Sequence, residues 1–111
     1  MEILNFEEKI IANYIESIRP PVEVRKQLDI GYTFENNELI IFEIRPFFMD
    51  ETKIINSPFV RTKFVKSRKI WKIYWMRASG KWELYEPDPI VKDLPAFFEI
   101  LDLDEYGCFR G

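Results

Sequence analysis

Phe6, Ile10, Ile11, Tyr14, Ile15 and Ile18 recur at helical spacing, with Glu7, Glu8, Lys9 and Glu16 between them. That spacing predicts an amphipathic helix over 6–18, capped by Asn5 with Glu8 three residues on. Pro20 and Pro21 stop it, because neither has the backbone N–H that continuation requires. From Val22 the period changes to two: Val22, Val24, Leu28, Ile30, Tyr32 and Phe34 alternate with polar residues, which predicts a half-buried strand over 22–35. A second strand over 38–47 places Ile40, Phe42 and Ile44 at even positions and Glu43 and Arg45 at odd ones. Keeping the even positions of both strands on one face needs an odd-length connection, Glu35-Asn36-Asn37 with Asn37 left-handed; a two-residue Asn-Asn turn sets Phe34 opposite Leu39 and inverts the pattern.

Residues 48–58, with Asp50, Glu51, Asn56, Ser57 and Pro58, read as a connection. Strands over 59–67 and 70–77 can join at Arg68-Lys69, and strands 70–77 and 82–86 at Ser79-Gly80. These registers give one face of Phe64, Trp71, Ile73, Trp75, Trp82 and Leu84. The opposite, wetter face then carries Arg61, Lys63, Lys72, Tyr74, Met76, Glu83 and Tyr85. A last helix over 94–101 has Asp93 as cap, Pro95 in its first turn and Leu94, Phe97, Phe98 and Leu101 as its apolar stripe. The closing DEYGCFRG, at 104–111, is expected to dock on the body through Tyr106 and Phe109. The prediction is one α+β domain over 1–111: an N-terminal helix, a five-stranded antiparallel meander sheet and a C-terminal helix.

Composition narrows the chemistry. The 111 residues are 47% hydrophobic and 16% aromatic, enough to fill one core. No apolar run approaches the roughly 20 residues that span a bilayer, and the start lacks a basic signal-type region, so a cytoplasmic protein without a membrane partner is expected. The single cysteine, Cys108, agrees with a reducing compartment and reads as a small packing residue. The chain contains no histidine, which removes the commonest general base, the Ser/His and Cys/His nucleophile pairs and imidazole metal sites. No pattern points to a cofactor or a metal site, and an enzyme is disfavoured.

Charge is the strongest asymmetry. Residues 1–58 carry a net −5 and residues 83–111 a net −6, whereas 59–82 hold eight bases and no acid. Those bases are Arg61, Lys63, Lys66, Arg68, Lys69, Lys72, Arg77 and Lys81.

The stretch VKSRKIWKIYWMRASGKWELYEP at 65–87, the GYTFENNELIIFEIRP segment at 31–46 and the DEYGCFRG ending together resemble a family of small bacterial proteins known as domain of unknown function 3024. The resemblance implies a bacterial, cytoplasmic single domain. It implies no activity, cofactor or partner.

Two sites remain as candidates. In the first, Arg61, Lys63 and Lys72 meet backbone phosphates, Tyr74 and Tyr85 stack on unpaired bases, and Arg68 and Lys69 at the hairpin tip, with Lys66, extend the footprint. The partner would be single-stranded nucleic acid or an acidic protein. A solvated sheet face with an ordinary Tyr74–Tyr85 cross-strand pair is the plainer account. In the second, Asp29 and the Glu43-Ile44-Arg45 triplet share a polar face after a helix carrying Glu16. That order is faintly similar to Mg²⁺-dependent nucleases, with Arg45 where a Lys is usual. An Asp29–Arg45 ion pair is its plainer account. Trp71, Trp75 and Trp82 read as core. Complementary charge between centre and flanks also allows a homodimer.

Overall fold

The structure, a computed structural model, describes residues 6–110. Helix α1 spans Phe6–Ile18, and a short 3₁₀ turn follows at Val22–Val24. The strands are β1 (Asp29–Glu35), β2 (Glu38–Phe47), β3 (Asp50–Val65), β4 (Ile70–Met76), β5 (Trp82–Leu84) and β6 (Ile90–Val91); helix α2 spans Leu94–Leu103. The strands form one antiparallel sheet in the order β1-β2-β3-β4-β5, with β6 beside β5 along the same edge of β4. Both helices lie on one face, which gives an α+β architecture of two layers; the thin dimension of 23 Å is that of one sheet and one helix layer.

The core lies between the layers. Ile11 and Ile15 of α1 and Leu94, Phe97, Phe98 and Leu101 of α2 meet Ile30, Leu39, Ile41, Val60, Trp71 and Ile73 of the sheet. Tyr14 stacks on Phe98 with ring centroids 4.0 Å apart, joining the helices directly. Asp93 caps α2 by accepting the Ala96 N–H at 2.9 Å, with Pro95 in the first turn, as the sequence predicts. The proposed cap Asn5 lies outside the described residues.

Several expectations need correction. The first strand begins at Asp29 rather than Val22, because the chain after Pro21 winds tightly: Val24 N–H donates to Pro21 O, and Gln27 and Leu28 N–H both donate to Val24 O. Val22, 70% exposed, is consequently a surface residue. Residues 48–58 are not a connection; β2 and β3 continue as a hairpin arm turning at Phe48-Met49, with Arg45 opposite Ile55 and Phe47 opposite Asp50. Beyond Ile44, the last partner of Asp29, this arm has two strands only. A sixth strand, β6, completes the β4 edge. Of the tail, Phe109 docks against Tyr85 at 4.8 Å, but Tyr106 stays exposed.

Turn lengths decide which residues face the helices. Asn36 and Asn37 both have positive φ, 54° and 60°, and make a two-residue turn that pairs Phe34 with Leu39. The buried positions of β2 are therefore the odd ones, Leu39 and Ile41, and the expected even face of Ile40, Phe42 and Ile44 is the one turned away from the helices. The β3–β4 loop holds four residues, Lys66 to Lys69, so Phe64 faces Trp71 rather than Ile73, a shift of two that preserves the predicted faces. Between β4 and β5, Arg77 N–H donates to Lys81 O across a three-residue loop with Gly80 at φ 83°, so Met76 rather than Arg77 faces Trp82. This shift of one exchanges the faces of β5.

Candidate anion-binding face

Register places Arg61, Lys63, Lys72, Tyr74 and Met76 on the sheet face away from the helices, as predicted. Trp82 and Leu84 join them, because Met76 pairs with Trp82 and Tyr74 with Leu84. Tyr85 does not. It is 2% exposed, its N–H donates to Ile73 O, and its ring packs on Phe109 inside the core. Burial, with acids nearby, raises its hydroxyl pKa above the ordinary tyrosine range. Tyr85 is thus removed from the stacking pair, and Trp82, assigned to the core by the two-residue turn, takes its place at the surface. The sequence signal for Trp82 was Gly80 itself: a glycine closing Ala78-Ser79-Gly80 suits a three-residue loop as well as a two-residue one.

Arg61 is the hub of this face. Its Nε and Nη2 both lie 2.9 Å from Glu38 Oε2, leaving Glu38 Oε1 outside the pair. Its guanidinium carbon sits 4.9 Å from the Tyr74 ring centroid and 6.0 Å from that of Trp82. Arg61 is therefore half-buried, oriented and already neutralised by one acid. Lys63 and Lys72 stand directly opposite one another on neighbouring strands, and among the described residues neither has an ion pair. Like charges so placed repel, so folding gains nothing from their being together. Arg68 and Lys69, with Lys66, are exposed in the β3–β4 loop, where Lys69 adopts φ 54°. Arg77, at the opposite end of β4, is paired with Glu83 at 3.3 Å.

The carboxylate pair of the second candidate is taken apart by the same turn. Asp29 faces Ile44, and Glu43 faces Ile30, so the two acids project from opposite faces. Asp29 is held by Arg19 through two contacts of 2.9 Å, which keep its carboxyl below the usual aspartate range. Glu43 lies 3.9 Å from Arg45 and 3.6 Å from Arg110, and the expected Asp29–Arg45 pair does not form. No group of three His, Cys, Asp or Glu side chains that could hold a metal occurs among the described residues. Of the three tryptophans, Trp71 is core and Trp75 half-buried on the helix side. Cys108 is half-buried, and burial raises its thiol pKa, which disfavours the thiolate. No helix among the described residues is long and apolar enough to cross a membrane.

The family model described as Domain of unknown function (DUF3024) matches residues 2–111, and the chain belongs to that family. No curated protein and no solved structure matches it.

Proposed function

We propose that this chain is a non-catalytic binding module that takes single-stranded nucleic acid on the open sheet face. The observation that carries the reading is the Lys63–Lys72 pair, opposed across β3 and β4 and in no ion pair among the described residues although Glu38 stands beside Lys63, next to the rings of Tyr74 and Trp82. Unpaired bases offer flat faces to such rings, and the phosphates between them offer charge to the lysines. Lys66, Arg68 and Lys69 extend the cationic track past the end of the strands. The preference over an acidic peptide comes from the aromatic floor, on which nucleobases stack, whereas carboxylates are repelled by the negative ring faces. The lone thiol accords with a reducing, cytoplasmic setting.

The test is titration of a fluorescent single-stranded oligonucleotide at several salt concentrations. With Lys63, Lys72, Arg68 and Lys69 engaged, log K should fall against log salt with a slope of about −3. Lys63→Gln with Lys72→Gln should weaken binding at least about tenfold, roughly 1.4 kcal/mol, with the melting temperature nearly unchanged. Trp82→Ala should cost about 1–3 kcal/mol of affinity. Absence of binding at low salt, or binding indifferent to the lysine pair, refutes the reading.

A further inference from the structure

The row of residues that crosses the open face at Lys63 has an order that one polyanion does not explain. Glu35 of β1 faces Glu38 of β2, Glu38 faces Lys63 of β3, and Lys63 faces Lys72 of β4. Side by side on one face stand two acids and then two bases. Each like pair is unfavourable within the sheet. Among the described residues only Glu38 of the four is in an ion pair, with Arg61, and that bond leaves its Oε1 outside the pair. The next rows are half-buried, with the apolar Ile40, Phe42, Tyr74 and Leu84 around Arg61, whose charge Glu38 meets, and no helix covers them among the described residues.

We infer that a second copy of this chain packs on this face. An acidic partner that covers the whole row, rather than only β3, β4 and their loop, is repelled by Glu35 and Glu38, and a uniformly basic one by Lys63 and Lys72. The partner that satisfies all four carries the same row reversed. A two-fold axis lying between the stacked sheets, parallel to the strands and midway between β2 and β3, produces that reversal. Glu35 then meets the second copy's Lys72 and Glu38 meets its Lys63, and both contacts occur twice because the interface is isologous. Sheets stack about 10 Å apart, a gap that facing Glu and Lys side chains can close from both sides. The apolar rows supply the buried area, and the charge row fixes the register. This inference goes beyond the nucleic-acid reading and does not rest on it; the two occupants compete for one surface.

The experiment is sedimentation equilibrium on the full chain and three variants, with thermal melts as a folding control. Glu35→Lys makes three bases in the row and sets the introduced ammonium against Lys72 of the second copy. Lys72→Glu makes three acids and sets Glu35 against the introduced carboxylate. Each should weaken the dimer at least about tenfold. Together, E35K with K72E restores opposite charges at the outer contact and should return dimerisation close to the wild-type value. Within one copy these positions are three strand spacings apart, about 14 Å, so restoration cannot come from an internal ion pair. Neither variant touches the Glu38–Arg61 bond. A wild type that stays monomeric at millimolar concentration, single variants that dimerise normally, or a double variant no better than the singles would each overturn the inference. Oligonucleotide binding separates the two ideas, because K72E weakens it and adding E35K does not bring back the lost phosphate contact.

Discussion

At the scale of single residues, Gly31 illustrates how closely the open face is fitted. It sits on the edge strand β1 opposite Phe42, and a Cβ built there would lie 2.8 Å from Phe42 Cε2 and 3.1 Å from Ile44 Cδ1. An aromatic ring laid over an edge glycine covers backbone that would otherwise face water on that side. Gly31→Ala should therefore cost about 1 kcal/mol or somewhat more, read as a lowered melting temperature. Phe42→Leu in the same chain should remove most of that penalty, because the obstacle is the far end of a ring rather than backbone. Tyr14 shows the opposite case of a polar tip made useful: its hydroxyl donates to Asp102 at 2.6 Å while its ring stacks on Phe98. Burial and the neighbouring carboxylate raise its pKa, so it remains a neutral donor.

At the scale of elements, loop length governs everything the sheet presents. Inserting one glycine between Asn37 and Glu38 would make the turn three residues long and drive Leu39 and Ile41 toward water. The expected result is loss of the cooperative melt in circular dichroism, whereas Asn37→Gly, at φ 60°, should be tolerated or mildly stabilising. The same parity explains what could be read from the residues alone. Both helices, the apolar stripe of α2, the order of the meander and the placement of Arg61, Lys63, Lys72 and Tyr74 follow from spacing. The faces of β2 and β5 do not, since alternating apolar residues on both sides of β2 fit either register, and a shift of one reverses them. Val22 and Val24 alternate like a strand but lie in a 3₁₀ turn, closed by hydrogen bonds from Val24 N–H to Pro21 O and from Gln27 and Leu28 N–H to Val24 O. The arm of β3 was hidden by Asn56, Ser57 and Pro58, residues that break central strands yet are admissible on an edge. Pairing of Glu38 with Arg61 is a tertiary contact 23 positions long, invisible to local pattern.

At the scale of the whole molecule, the Arg19–Asp29 contact ties the end of α1 to the start of the sheet. Because Arg19 lowers the Asp29 pKa in the folded state, the contact stabilises fully above the unfolded value of about 4, and that contribution is lost as pH falls through the lower folded value. Asp29→Asn should thus be less stable than the wild type at pH 7, with the gap narrowing as pH falls below about 4 in chemical denaturation. Asp50, also lowered through its bonds from Thr52, titrates in both proteins and cancels from the comparison. The C-terminal tail is fastened in a second way. Asp104 accepts the N–H groups of Phe109 and Arg110 at 3.1 and 2.8 Å, and Phe109 seals the edge of the core beside Tyr85.

The hairpin arm stands apart from this reinforcement. Past Arg45 and Ile55 each strand has a single neighbour, and the tip carries Phe48 at 85% and Met49 at 73% exposure. Nothing that α1 or α2 covers depends on that ribbon remaining closed. Fraying, bending or a proteolytic nick at its end would therefore be a local injury, leaving the hydrophobic layer watertight and the charged row in place.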